Sequence, residues 1–497
     1  MLCTSIIGKE LGMNDINART ARALKWSSVT EIASKLVAPL INMILARILA
    51  PEAFGVIATI NMVITFAEVF TESGFQKFLI QYNFDSEDKE HKYMTVAFWA
   101  NLVFSLVIWL LLIIFCRPVA ALAGNAGLGF PLALAGMAIP LQSIIGIQNC
   151  KLKKSLDFKG LFVVRMIASF VPLAVTLPLA LIGLDYWSLI IGNIAGIAIQ
   201  SIVLMIIGKF KPSRFFSLKI LKHMFSVGIW TILDGIAVWA TTWIDTLLIA
   251  HYLDDYYLGL YKNSSSTIAM LLSMVTAALT PVLFSALSKL QDNKEEFNGM
   301  LLNVQKTLGT FLIPMAMGIW FYRGLATDIL FGDQWTEAAN IIGIMAITTV
   351  LRTMFVSIYG SAYLAKGHFH ITLIMQIADL AILIPSCVIS VSHGFWALVY
   401  TRALIKLDLI IPEMILIRKI CGISCGTVFK ILWHPVLATS VMSAVAILLR
   451  QVSDGILWSF LSIAICVAIY FSVLFIFKNE RERYLEPILK KIKSRIK

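Results

Sequence analysis

The chain has 497 residues, 59% of them hydrophobic and 14% charged, with a formal net charge of +12. Soluble domains carry roughly 25% charged residues, so this composition excludes a chain that covers its surface with water-facing groups. In a soluble protein the excess of cations would suggest nucleic acid; here they stand between long apolar runs, so they report membrane topology and no nucleic-acid partner is expected.

In chain order, the apolar runs divide into fourteen candidate spans close to the ~20 residues that cross a bilayer. These are 27–48, 55–77, 93–115, 129–149, 160–181, 187–208, 224–250, 257–287, 299–321, 338–364, 369–390, 395–417, 431–449 and 456–477. Leu102–Cys116, Leu189–Ile207 and Leu457–Phe477 contain no charged residue. Residues 1–26 hold both charge signs, and the apolar run after them is too long for a signal peptide. The expected fold is an all-α integral membrane protein of about fourteen transmembrane helices.

The basic residues orient it. With a cytoplasmic N-terminus, twenty-nine of the forty-one Lys and Arg fall in inner segments, and only Arg117, Arg323 and Arg450 fall in outer ones. Cytoplasmic loops attract Lys and Arg, and one missed helix would invert every later loop. Both termini are therefore expected in the cytoplasm. All loops are short, leaving no room for a separate catalytic domain. No GxxxxGK[ST] or HExxH motif occurs, and the seven cysteines are scattered, with Cys421 and Cys425 lacking the partners of a zinc set. A transporter with no cofactor is expected, not an enzyme.

Sliding the chain by 204 residues aligns the first span with the seventh. Trp26 meets Trp230, Ile32 meets Ile236, and Ala46, Leu49 and Gly55 meet Ala250, Leu253 and Gly259. Duplicated halves are common in transporters. The offset predicts an N-terminal lobe over 1–208, a second lobe over 209–420, and two additional helices with a basic tail over 421–497.

A charge at bilayer depth costs at least ~2.5–3.5 kcal/mol and needs a reason. Arg402 and Lys406 share a face of the twelfth span at i, i+4. Their mutual repulsion calls for an anion, either a bound ligand or an acid such as Asp379 or Asp234. Arg352 in the tenth span and Arg165 in the fifth suit phosphate oxygens through the guanidinium fork. Glu31 and Lys35 form an i, i+4 pair in the first span. The candidate cationic site is thus Arg402, Lys406, Arg352, Arg165 and Lys35, and the candidate coupling acids are Glu31, Asp234 and Asp379, with Asp245 and Asp408 as further acids within spans that could carry a proton. Arg47, Lys77, Lys262 and Lys306 lie close enough to span ends to reach water.

The run "ALKWSSVTEIASKLVAPLINMILARILAPEAFGVIATINMVITFAEVFTESGFQKFLIQ", above all "LARILAPEAFGVIA" at 45–58 followed by Gly74 and Gln76, resembles the opening of bacterial polysaccharide transporters. These are the Wzx-type flippases of the multidrug/oligosaccharidyl-lipid/polysaccharide exporter superfamily. The resemblance implies two six-helix lobes around a central cavity plus two C-terminal helices. It implies a flippase in the bacterial inner membrane that moves a polyprenyl-diphosphate-linked oligosaccharide to the outer leaflet for cell-surface polysaccharide synthesis. Its partners would be that substrate, membrane lipids and other polysaccharide assembly proteins. A multidrug exporter on the same fold and a membrane polysaccharide polymerase are the alternatives; cations in the cavity oppose the first and short outer loops the second.

Overall fold

The computed structural model describes residues 37, 39–82, 84–154, 157–208, 210–277, 280–453 and 455–486. Half of the first expected span, with Glu31 and Lys35, and the tail beyond residue 486 lie outside them. Every regular element among the described residues is helical. Ten helices there are long and apolar enough to cross a membrane, so the chain is a multi-pass membrane protein. The twelfth expected span is interrupted: it is broken at residues 406–409, between Phe395–Ile405 and Ile410–Cys421.

The chain forms two compact units, Met1–Lys262 with Cys387–Phe395, and Asn263–Ser386 with Trp396–Lys497. The longer helices of the first are α1 (Pro51–Gln81), α2 (Glu87–Ile114), α3 (Ala138–Lys154), α4 (Phe158–Leu181), α5 (Asp185–Gly208) and α6 (Leu218–Tyr252), with the start of α7 (Asp255–Ala277). Pro51 opens α1 where a missing N–H costs nothing. Ser86 caps α2 by accepting from the Lys89 N–H, and Asp157 caps α4 by accepting from the Gly160 N–H. Helix α6 packs along α1, where Trp239 Nε1 donates to the Met62 carbonyl at 3.0 Å and its ring meets Phe66. Large apolar side chains such as Leu110, Ile114, Leu181, Ile202 and Ile206 are exposed, as a lipid-facing surface requires.

The second unit holds the rest of α7, then α8 (Thr280–Lys289), α9 (Lys294–Phe321), α10 (Ala338–Arg352), α11 (Ile358–Ala365), most of α12 (Phe369–Val391), α13 (Phe395–Ile405), α14 (Ile410–Cys421), α15 (Cys425–Arg450) and α16 (Ile456–Leu474). Helix α9 packs against α10 and α15, and α15 carries α16. Tyr470 of α16, fully buried, donates to the Thr310 carbonyl of α9 at 2.6 Å. Beside it lies an apolar cavity of about 430 Å³, lined by Phe311, Pro314, Tyr322, Met442, Cys466 and Phe471 among others.

Candidate functional site

Two helices of the second unit lose their regular winding, and charges collect where they do. Helices α10 and α11 are one span joined by a π-helical turn, Thr353–Ser357. Such turns are rare and gather at functional sites. Gln305 of α9, fully buried, donates Nε2 to the Met354 carbonyl of this turn at 3.1 Å and to Tyr359 Oη at 3.0 Å. Helices α13 and α14 are likewise one expected span, broken at 406–409. Pro412 explains the break: it has no N–H for the Asp408 carbonyl four residues before, and its ring crowds that carbonyl. The backbone tightens to three-residue spacing instead, with Leu407 N–H on the Leu404 carbonyl at 2.9 Å and Asp408 N–H on that of Ile405 at 3.2 Å.

Arg352 is the last residue before the π-helical turn. Its guanidinium forks onto Asp379 of α12, at 2.8 Å from Oδ2 and 3.4 Å from Oδ1. Asp379 is 1% exposed, so this pair supplies the counter-charge that a buried carboxylate demands. Lys406 Nζ donates to Thr349 Oγ1 at 2.8 Å, one turn before Arg352. Arg402 is buried on the same face as Lys406. Asp408 lies within the fields of Asp379, Arg352 and Arg402, and both its carboxylate oxygens are buried with no side-chain hydrogen-bond partner. One turn beyond the break, buried Glu413 accepts a hydrogen bond from Tyr363 Oη at 2.7 Å.

Arg352, Arg402, Lys406 and Asp379 therefore belong to one unit and one cluster, in which three cations are interleaved with Asp379, Asp408 and Glu413. Arg165, half-buried on α4, and Asp234, exposed on α6, lie in the other unit. Glu31 and Lys35 fall outside the described residues. Lys262 donates to the Thr242 carbonyl at 3.0 Å and rests over the Trp243 ring. Lys306 pairs with buried Glu480. Among the described residues no group of His, Cys, Asp and Glu could hold a metal ion.

Asp408 is legible in the sequence as one acid among several within expected spans, whereas Thr349, Gln305 and Tyr363 carry no mark of their place in this cluster. Pro412, four residues after Asp408, is the signal that could have marked the break. Nothing in the sequence marks the π-helical turn.

Residues 44–340, more than half of the chain, match the family described as polysaccharide biosynthesis protein. The chain belongs to that family. It is 26% identical over 341 residues to the succinoglycan biosynthesis transport protein of Rhizobium meliloti (strain 1021), covering 68% of each. It is 22% identical over 432 residues to a lipopolysaccharide biosynthesis protein of Escherichia coli (strain K12), covering 84% of this chain and 85% of that one. Among solved structures, the lipid II flippase MurJ in an inward closed conformation superposes with a TM-score of 0.78 at 16% identity, over 91% of this chain and 98% of that one. An inward-facing multidrug resistance transporter of the MATE family in the MOP superfamily gives 0.63 at 13% identity, over 81% of this chain and all of that one. These likenesses establish a shared fold.

Proposed function

We propose that this chain flips a polyprenyl-diphosphate-linked oligosaccharide from the inner to the outer leaflet of the bacterial cell membrane, supplying cell-surface polysaccharide synthesis. The observation that carries the reading is the charge cluster built where two spans are interrupted, in a chain of the polysaccharide biosynthesis family. Interrupted helices expose backbone and charge at membrane depth only where they line a cavity or are buried in protein. Arg352 can exchange two carboxylate oxygens of Asp379 for two phosphate oxygens, since its planar fork fits both. Arg402, Lys406, Arg165 and Lys35 are the other proposed headgroup contacts. Glu31, Asp234 and Asp379 are proposed coupling acids, compensating the cations when the cargo has left. The apolar cavity beside α9 and α16 offers hydrocarbon a place that a diphosphate would avoid.

Transport proceeds by alternating access of two lobes, 1–208 and 209–420, with 421–497 as an addition and both termini in the cytoplasm. Membrane lipids and other polysaccharide assembly proteins are its proposed partners. The chain acts as a transporter and not as an enzyme. A strain lacking the protein should accumulate lipid-linked oligosaccharide on the cytoplasmic face. Wild type should clear it, and an Arg402→Ala, Lys406→Ala double variant should not. Rescue by the double variant would remove those two residues from the site; no accumulation with normal polymer output would remove the flippase reading.

A further inference from the structure

The segment after α16, Lys478-Asn-Glu-Arg-Glu-Arg-Tyr, alternates acids and bases and reads as a solvated tail. The structure buries its centre. Glu480 is 0% exposed. Its Oε1 accepts from Lys306 Nζ of α9 at 2.5 Å and lies 2.9 Å from His434 Nδ1 of α15, while Oε2 has no hydrogen-bond partner. Phe477 stacks on the His434 ring at 4.0 Å. Arg483 donates to the Asn303 carbonyl at 3.0 Å and to Thr307 Oγ1 at 2.6 Å, so the segment grips α9 on both sides of Lys306.

Lys306 is the neighbour of Gln305, and Gln305 holds the Met354 carbonyl of the π-helical turn beside Arg352. One stretch of α9 thus faces the tail segment with one residue and the charge cluster with the next. The tail contact is not built as a permanent strut. A carboxylate out of water is stable only when fully paired and hydrogen-bonded, and this one leaves an oxygen unsatisfied. The segment also winds as a single helical turn, Lys478–Glu480, followed by a second π-helical turn, Arg481–Leu485. Such turns are rare and gather at working parts of proteins.

We propose that Lys478–Leu485 is a releasable strap on the second unit. While Glu480 is seated on Lys306 and His434, α9 holds Gln305 under the π-helical turn. When the strap leaves, that turn loosens, and the Arg352–Asp379 pair with it. The device is independent of which cargo the chain carries.

Hydrogen–deuterium exchange of the full chain in lipid nanodiscs tests it. Glu480→Gln should speed amide exchange about tenfold, the effect of losing one charged hydrogen bond, in peptides covering both 478–486 and 352–359. Exchange over 93–114, in the other unit, should not change. Gln305→Leu should speed exchange at 352–359 and leave 478–486 protected. Faster exchange at 478–486 alone would show a tail with no hold on the cluster and overturn the proposal, as would no change in either peptide. Should Glu480→Gln fail to fold, His434→Gln keeps the lysine pair and should give a smaller rise in the same two peptides; its absence would equally overturn the strap.

Discussion

Gly55 of α1 and Gly259 of α7 make reciprocal contacts. A Cβ on Gly55 would overlap the Asp255 carbonyl, and a Cβ on Gly259 would overlap the Pro51 carbonyl. Pro51 and Asp255 open the two helices and stand 204 residues apart, as Gly55 and Gly259 do. The crossing therefore relates the two helix starts by the same offset as the repeat in sequence. Backbone approach this close admits only glycine. Gly55→Ala and Gly259→Ala should each cost about 2–3 kcal/mol through forced separation of the helices, read as a lower melting temperature in detergent. Gly299→Ala, in a helix with open space at that point, should be close to neutral or slightly stabilising.

Helices α4 and α5 meet through another small-residue pattern. In Gly192-Asn-Ile-Ala-Gly196, a Cβ on Gly192 would overlap Thr176 Oγ1, and one on Gly196 would reach Pro172 Cγ at 2.5 Å. Packing of this kind, not hydrophobic exclusion, holds helices together in lipid. Gly196→Leu should separate the pair and reduce the yield of folded protein; Ile202→Leu, on the exposed face of the same helix, should leave it unchanged.

The Arg352–Asp379 pair gives a prediction with two signs. Arg352→Ala leaves a nearly fully buried carboxylate without its partner, which should cost about 3 kcal/mol. Replacing both at once, Arg352→Met with Asp379→Leu, should recover most of that stability, because the unpaired charge is gone. Transport should remain lost in the double variant. Recovery of transport together with stability would assign the pair a purely structural role.

Asp408 should behave in the opposite way. Its buried oxygens have no side-chain partner to lose, so Asp408→Asn should keep or raise the melting temperature while changing the charge balance around Arg352 and Arg402. Lower polymer export from this variant, at normal membrane abundance, would place Asp408 in the transport cycle. Unchanged export would make it a bystander.

Apolar run length made the all-helical membrane fold legible, and the cost of charge at bilayer depth singled out Arg352, Arg402 and Lys406. Sequence offers Asp379 as an acid for Arg402 and Lys406, whereas the structure gives it to Arg352, because partner choice depends on how α10 and α12 pack. Asp408 is visible in the sequence as an acid within a span, but not as a member of this cluster. Its place follows from the break before Pro412 together with neighbours on other spans. Glu480 was the least visible, since a glutamate among lysines and arginines has every mark of a solvated tail. Hydropathy reads elements one at a time; ion pairs across elements are set by helix contacts that it does not contain.

The central claim is movement of a lipid-linked oligosaccharide across a bilayer, and purified chain in lipid vesicles tests it most directly. Labelled polyprenyl-diphosphate oligosaccharide would be placed in both leaflets, and the fraction open to a membrane-impermeant glycosidase followed over time. The expected result is that the inner-leaflet pool becomes accessible with wild type and stays protected with the Arg402→Ala, Lys406→Ala double variant. An inner pool that stays protected in vesicles holding folded wild-type chain, while a small lipophilic cation is transported, would contradict the flippase and favour a multidrug exporter.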